Sequence, residues 1–274
     1  MRNKKNTIKI KTRKNIFSHI TGEHSSYLSG DGLDFKNIRQ YDTNDDIRHI
    51  NWKVTARTQD AYVNIFNENK QLDVVILCLF SKSLDFGSFK TKKTILKECL
   101  EILANSVLYS QDRLTTAFFG SKELAFFPPT SNKKVVKTVL DSFDTIKGSV
   151  IDIEILQSYI LNKIKKPSLV FVVGDFLDEI NLDIVSYKHE LFAVIVRDKL
   201  EENLELYGDW TINDMNTNTQ ENIIIDKPTA KIYRQKMKKF DDNLIRNFIK
   251  NKIKYQKIYT DEKPLKKLQK LVSF

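Results

Sequence analysis

The longest unbroken apolar run of the chain reads Val74-Val75-Ile76-Leu77-Cys78-Leu79-Phe80 and leads directly into the polar loop Ser81-Lys82-Ser83. A strand is apolar throughout when both of its faces are buried, as they are when helices cover each side of a parallel sheet. The run is far too short to cross a bilayer, which takes roughly 20 residues in a helix. It therefore predicts a central strand of an α/β domain.

On the carboxyl side of this run, apolar strands alternate with segments of helical period. Leu96, Leu100, Leu103 and Val107 recur at spacings typical of a helix that packs one face on a core. Further strands are predicted at 114–119, 124–127 (ending at Pro128-Pro129), 169–173, 191–196 and 255–259, and further helices at 135–140 and 233–248. This alternation predicts the α/β class, with an open, doubly wound, mostly parallel sheet and helices on both faces.

On the amino side of the run the pattern differs. Gly22, Gly30 and Gly32 lie amid Ser, Asp and short apolar alternations, which are typical of turns and short strands. We therefore expect two parts. Residues 1–70 form a basic N-terminal arm and a small β-rich module, and residues 71–274 form the α/β domain, which ends in basic helices.

Positive charge is concentrated at the two ends of the chain, whose formal net charge is +10. Residues 1–14 hold seven basic and no acidic side chains, and residues 227–274 hold fifteen basic and four acidic ones, so the middle of the chain is acidic. Clustered Lys could meet nucleic acid, an anionic membrane surface or an acidic protein. A solvated surface is the commoner outcome, and few aromatic residues interleave the N-terminal run.

The cysteines and the N-terminus bear on localisation. Cys78 and Cys99 fall in an apolar strand pattern and an apolar helix pattern, where thiols are usually buried and inert. The N-terminus carries charges without the apolar segment of a signal peptide behind them. These features lead us to expect a cytoplasmic protein without a transmembrane segment.

Polar groups that could bind a ligand follow the predicted strands. The ligand crevice of a doubly wound sheet lies at the carboxyl ends of its strands. Three loops are expected there: Ser81-Lys82-Ser83, Pro129-Thr130-Ser131-Asn132 and Gly174-Asp175-Phe176. Hydroxyls and carboxylates suit Mg²⁺, but Asp175 is the single carboxylate of the set, so only a weak metal site is expected. Equally, Ser81, Ser83 and Asp175 could cap helices.

The residues between Gly22 and Arg57 carry a resemblance to a known family. Residues of several different types occur there in a defined order and spacing: Gly22, Asp34, Phe35, Arg39, Tyr41, Asp45, Asp46, Arg48, Trp52, Ala56 and Arg57. This pattern resembles the signature of the family catalogued as domain of unknown function 58, in which it precedes a von Willebrand A-like domain. Asn44 departs from it, because Gly is commonest at that place. The resemblance implies a von Willebrand A-like fold for the α/β domain.

The loop after the central strand is similar to the metal-ion-dependent adhesion motif of von Willebrand A domains, Asp-x-Ser-x-Ser. Ser81 and Ser83 match, but Leu79 replaces the leading Asp. Thr130 is similar in placement to the middle-loop Thr of such domains, and Asp175 to their later Asp. Losing a carboxylate removes charge that a divalent cation needs, and Lys82 adds positive charge. We therefore expect no cofactor, or weak Mg²⁺ at most, and a degenerate adhesion site that contacts a protein partner directly.

Catalytic interpretations have less support. The arginines and aspartates of the signature could form a carboxylate pair with arginine clamps, but they are more often a salt-bridged network that fixes turns. Trp52, Tyr41 and Phe35 are more often core than a ligand platform. A thiolate at Cys78 would be costly inside an apolar strand. The four histidines show no metal-ligand spacing.

The sequence thus favours a non-enzymatic adaptor that binds another protein. The family resemblance implies association with a MoxR-type AAA+ ATPase in the assembly or maturation of other proteins. Binding of nucleic acid or of an anionic membrane surface through the basic ends is the alternative hypothesis. A hydrolase is the third.

Overall fold

The computed structural model describes residues 33–68, 71–178, 180–203, 208–213 and 220–272. These residues belong to two compact units, one that ends at Gln71 and one that begins at Leu72. The predicted basic arm, residues 1–14, and Gly22 of the family signature lie outside the described residues.

The first unit is built on a small antiparallel sheet. Strand β1 (Leu33–Gln40) pairs with β2 (Tyr62–Glu68), with a bulge between Phe35 and Asn37. The connection between the strands contains a 3₁₀ turn, Ile47–His49, and helix α1, Trp52–Thr58. The side chain of Asn51 accepts a hydrogen bond from the backbone N of Val54 and so caps α1. The predicted β-rich character of this part is confirmed.

The second unit contains a six-stranded sheet. Its strands are β3 (Asp73–Leu79), β4 (Arg113–Phe119), β5 (Glu123–Thr130), β6 (Leu169–Gly174), β7 (Glu190–Arg197) and β10 (Lys254–Tyr259). They lie in the order β10-β7-β6-β3-β4-β5. All neighbouring strands are parallel except β5, which runs antiparallel to β4 at one edge. A separate antiparallel pair is formed by β8 (Gly208–Asn213) and β9 (Gln220–Ile225).

Helices cover both faces of this sheet. They are α2 (Lys92–Tyr109), α3 (Val135–Thr145), α4 (Ile153–Lys163), α5 (Asp183–Ser186), α6 (Lys199–Glu202), α7 (Lys227–Lys250) and α8 (Pro264–Val272). Alternate residues of β3 point to opposite faces, as in any strand. Val74, Ile76 and Cys78 pack in a layer with α2, α3 and α8. Val75, Leu77 and Leu79 pack in a layer with α4, α5 and α7. The predicted doubly wound α/β fold is confirmed.

The strand order creates a switch point between β3 and β6. The chain proceeds from β3 to β4 and β5 on one side, and then crosses to β6, β7 and β10 on the other. The loops after β3 and β6 therefore leave the carboxyl edge of the sheet in opposite directions. A crevice at such a point is where ligands of doubly wound proteins bind.

Two details differ from the sequence-based expectation. Strand β5 continues through Pro128 and Pro129 to Thr130 and does not end at the prolines. An edge strand tolerates proline because one side of its backbone needs no sheet hydrogen bonds. The β8–β9 hairpin was not predicted, since its sequence is mostly polar.

Both cysteines are buried and free as expected, and burial raises the pKa of each thiol.

Candidate functional site

The carboxyl ends of β3 and β6 bring three of the predicted site residues together. Ser81 and Ser83 follow β3, and Asp175 follows β6 directly. The Oγ of Ser81 donates a hydrogen bond to Oδ2 of Asp175 at 2.8 Å, and the Oγ of Ser83 donates to the same oxygen. The two serine Oγ atoms lie 3.0 Å apart. Ser81 occupies the N-cap position of the following 3₁₀ turn, but its side chain makes no capping hydrogen bond there.

A lysine that the sequence analysis did not single out completes this cluster. Lys92 is the first residue of α2, and its side chain has no exposed surface. Its Nζ lies 3.1 Å from Oδ2 of Asp175 and 2.5 Å from Oε1 of Glu201. Lysine is almost never fully buried unless its ammonium is paired. The Lys92 ammonium therefore joins the loop after β6 to the helix that follows β7.

Glu201 is held in place by the start of α6. Asp198 caps this helix, accepting from the backbone N of Leu200, and its own backbone N donates to Oε2 of Glu201 at 3.1 Å. One carboxylate oxygen of Glu201 thus serves the helix cap, and the other accepts from Lys92. The loop after β6 and the helix after β7 thus each supply one carboxylate oxygen to the ammonium, and the serines after β3 donate to the same Asp175 oxygen.

Burial and the Lys92 charge act in opposite directions on these carboxyl groups. Burial favours a protonated Asp175, but the Lys92 ammonium and the hydrogen bonds from Ser83 and Ser81 outweigh it and lower its pKa. For Glu201, burial prevails and raises the pKa despite the same lysine. Burial, together with the Asp175 charge, also raises the pKa of Asp178. Asp175 is consequently ionised at neutral pH.

The residues present do not fit the divalent cation that the adhesion-motif resemblance implies. Lys92 already contacts the Asp175 oxygen that would face such an ion. The Leu79 side chain contains no oxygen that could bind an ion, and it packs in the apolar layer with α4, α5 and α7. Over the described ranges, no group of three or more His, Cys, Asp or Glu side chains is placed to hold a metal ion.

Thr130 does not join this cluster, and its expected position was wrong. It pairs with Leu114 near the start of β4, whereas the loop after β3 lies beside Phe119 at the other end of β4. The cause is the antiparallel direction of β5, which carries Thr130 to the amino edge of the parallel strands.

The loop at 146–152 lies against Ser81 instead. Ser149 N donates to the carbonyl O of Phe80 at 2.9 Å. A Cβ on Gly148 would lie 2.2 Å from the carbonyl O of Ser81. Only a residue without a side chain permits this approach.

The family-signature residues form local networks in the first unit. The Arg39 guanidinium donates to both carboxylate oxygens of Asp45, at 2.7 and 2.6 Å, and this hydrogen bonding lowers the pKa of Asp45. The Arg48 guanidinium likewise donates to both carboxylate oxygens of Asp46 and lowers its pKa to about 2. Each carboxylate is thus tied to its own arginine in a turn, as the structural interpretation of the signature predicts.

The other signature residues occupy varied positions. Trp52 was expected in the core but is 70% exposed at the first position of α1, a helix in which no residue is buried. Ala56 and Arg57 are exposed on the same helix, and Tyr41 is partly buried. Asp34 and Phe35 belong to β1.

The family model described as "Protein of unknown function DUF58" matches residues 37–242. The chain belongs to this family. Uncharacterized proteins of Mycobacterium tuberculosis and Mycobacterium bovis are each 22% identical to it over 232 residues, which cover 80% of this chain and 72% of theirs.

Two solved structures resemble this chain at low sequence identity. One is the conserved hypothetical protein BatB of Bacteroides thetaiotaomicron, with 14% identity and a TM-score of 0.45 over 74% of this chain and 97% of that one. The other is an aerotolerance-related membrane protein of Bacteroides fragilis, with 13% identity and a TM-score of 0.38 over 73% and 96%. In the described part of this family member, no helix is both long and apolar enough to span a membrane.

An exposed aromatic loop lies beside the cluster and was missed by the sequence analysis. Phe86 and Phe89 are 39% and 71% exposed on the segment between β3 and α2. Ser88 between them donates from its backbone N and its Oγ to the buried Asp198, at 2.7 and 2.9 Å. The buried carboxylate therefore holds the loop that presents the two rings to solvent.

The cluster is poorly suited to acid–base chemistry. A general base needs a pKa near the working pH and a free position toward the substrate. Asp175 has a lowered pKa, is buried, and accepts hydrogen bonds from Ser81, Ser83 and Lys92. The arrangement fixes three loops relative to one another and shapes the surface above them.

Proposed function

We propose that this chain is a non-enzymatic adaptor that binds a MoxR-type AAA+ ATPase through the loops at the carboxyl edge of its α/β sheet. The ATPase as partner rests on the family resemblance of the signature residues. The use of this edge rests on Phe89. We place the adaptor in the cytoplasm, where the two free, buried thiols Cys78 and Cys99 suit a reducing environment.

The observation that carries the proposal is an exposed aromatic side chain on a loop that is anchored by a buried carboxylate. Phe89 is 71% exposed, and its neighbour Ser88 is anchored on Asp198. A large ring on a loop that is already ordered loses little conformational entropy when a partner covers it. Such aromatic anchors supply much of the affinity at protein interfaces.

This loop carries charge of both signs, since Lys90 pairs with Glu98 at 2.7 Å and Asp85 is exposed three residues after Lys82. Lys82 is partly exposed in the 3₁₀ turn after Ser81, and Lys90 is exposed just before α2. Such charges at the rim of an interface act mainly on association rate and specificity. Ser81, Ser83 and Asp175 support this surface from below, and their contribution is to hold the loop in one conformation.

The test is the affinity of the purified chain for the MoxR-type ATPase encoded by the same organism. We expect Phe89→Ala to weaken binding by about tenfold or more, the range of an aromatic hot spot. Tyr187→Ala is the matched control, because Tyr187 is 85% exposed but lies just before β7, at the amino edge of the sheet. Equal loss in both variants, or no binding by the unaltered chain, would contradict the proposal.

A second candidate function is supported by one face of α7. Lys231, Arg234 and Lys238 are exposed there at spacings of three and four residues, so they form a basic stripe. Such a stripe could bind nucleic acid or an anionic membrane. Replacing all three residues by Glu should then abolish binding to DNA, RNA or phosphatidylserine vesicles at low salt. If the unaltered chain binds none of these, this candidate fails.

A hydrolase is the third candidate, and Asp175 gives it little support because this carboxylate is buried and paired with Lys92. Turnover of a substrate that disappears in Asp175→Asn but persists in Phe89→Ala would favour this candidate over the adaptor.

A further inference from the structure

We infer that the Lys92 ammonium occupies the place of the divalent cation in this adhesion-type site, so that the loops after β3, β6 and β7 are held together without metal. This inference concerns the architecture of the site and does not depend on which partner the chain binds.

The position of the ammonium carries the inference. The site lies at the switch point of the sheet, where the hydroxyls of Ser81 and Ser83 and a carboxylate of Asp175 converge. Lys92 Nζ contacts Oδ2 of Asp175, the oxygen to which both hydroxyls donate. The same Nζ contacts Glu201, which is held by the capping box of α6. Hard cations are bound by oxygen sets of this kind.

The charges of the site match a monovalent group better than a divalent one. Leu79 stands where the adhesion motif has its leading carboxylate, which leaves Asp175 and Glu201 as the acidic groups around Nζ. One ammonium with three donors can satisfy these oxygens, whereas a divalent ion prefers more negative charge and an octahedral oxygen shell. The absence of a carboxylate at Leu79 and the presence of the Lys92 ammonium each shift the site by one positive charge, so together they replace the two charges of a divalent cation.

The backbone around Lys92 keeps its side chain in the site. Lys92 is the first residue of α2, directly after the capping residue Thr91. Its own backbone N donates to the carbonyl O of Phe86 at 2.9 Å. Because the side chain has no exposed surface, the ammonium cannot reach solvent without movement of the residues that cover it.

This arrangement changes how a partner can bind. In a metal-containing adhesion site, an acidic side chain of the partner would complete the coordination of the ion. Here the ammonium is buried beneath the loops, so a partner's carboxylate does not reach it. Recognition must use the exposed residues of the loops themselves, and it should be insensitive to chelators.

The test is thermal unfolding of the full chain in EDTA and in MnCl₂. The unaltered chain should unfold at the same temperature in both. Lys92→Ala leaves Asp175 and Glu201 buried without their counter-ion and should lower the unfolding temperature in EDTA by about 10 °C. Mn²⁺ should then fill the vacated oxygen site and raise that temperature by about 5 °C or more at a concentration 100-fold above its Kd.

The matched control is Lys97→Ala, one turn further along α2. Lys97 pairs with Asp144 at the surface, so its loss should change the unfolding temperature little and create no response to Mn²⁺. Stabilisation of the unaltered chain by Mn²⁺, or a folded Lys92→Ala variant that does not respond to it, would overturn the inference.

A second variant covers the case in which Lys92→Ala does not fold. The triple variant Lys92→Met, Asp175→Asn and Glu201→Gln removes the ammonium together with both carboxylates, and a buried ion pair replaced as a whole by neutral groups is tolerated. It should unfold at a higher temperature than Lys92→Met alone and show no response to Mn²⁺. A triple variant that is no more stable than Lys92→Met would also overturn the inference. The two unpaired carboxylates would then not be the cause of the low stability of Lys92→Met.

Discussion

Lys92 Nζ lies 3.1 Å from Oδ2 of Asp175, and both side chains are buried at the switch point of the sheet. The pair joins the start of α2 to the end of β6 across 83 positions of sequence. Removing one partner from such a pair leaves an uncompensated charge in the interior. The stability of the α/β unit should therefore depend on both residues.

Asp175→Asn should lower the free energy of unfolding by about 3 kcal/mol at neutral pH, because it leaves the Lys92 ammonium short of one counter-charge. The folded-state pKa of Asp175 lies below its ordinary value of 3.8, so its contribution is present above that pH and is lost as the pH falls through the folded-state pKa. Urea unfolding of both proteins should show the difference narrowing below pH 3.8. A difference that stays constant into acid would contradict this role of Asp175.

His189 should make the protein less stable in mild acid. It is buried, neither ring nitrogen has a hydrogen-bond partner among the described residues, and burial together with Lys188 lowers its pKa from 6.5 to about 4. The unfolded chain therefore binds a proton first, so stability is lost as the pH falls from 6.5 toward 4. We expect a loss of about 1.4 kcal/mol per pH unit in that window, relative to His189→Leu. Parallel pH profiles of the two proteins would rule this out.

Gly148→Ala should disturb the loop that lies on Ser81. The added Cβ would meet the carbonyl O of Ser81 at 2.2 Å and its carbonyl C at 2.7 Å, and backbone atoms cannot move aside cheaply. We expect a loss of about 1–3 kcal/mol in the free energy of unfolding. Lys147→Ala, at the exposed neighbouring position, is the control and should have little effect. Equal effects of the two substitutions would show that this contact is not tight.

Asp198→Ala should release the loop that carries Phe86 and Phe89. The buried carboxylate accepts hydrogen bonds from Ser88, Leu200 and Thr260, and its loss leaves these donors unsatisfied. We expect destabilisation by about 3 kcal/mol and faster cleavage by chymotrypsin after the two rings. Asp261→Ala, which removes only a surface pair with Lys199, should leave the cleavage rate unchanged. Resistance of Asp198→Ala to the protease would mean that other contacts hold the loop.

The sequence predicted the sheet well where burial imposes a recognisable pattern. The run from Val74 to Phe80 is apolar at every position because helices cover both of its faces, and that pattern needs no knowledge of neighbouring strands. Thr130 was misplaced because strand direction depends on pairing with β4, which local sequence does not encode. The prolines of β5, Pro128 and Pro129, also suggested that this strand ends early, although an edge strand accommodates proline.

The site was predicted only in part for a similar reason. Ser81, Ser83 and Asp175 follow apolar strands, so the fold alone brings them to one edge. Lys92 lies in the run Lys90-Thr91-Lys92-Lys93, which has the composition of a solvated surface. Its burial follows from the capping of α2 and from the distant Glu201. The one available signal was its place at the start of a helix that leaves the switch point.

Calorimetric titration of the unaltered chain with Mg²⁺ and with Mn²⁺ tests the central claim most directly. If the Lys92 ammonium takes the place of the ion beside Ser81, Ser83 and Asp175, neither metal should give a saturable heat of binding. Stoichiometric binding of either ion with micromolar affinity, abolished by Asp175→Asn, would contradict the account.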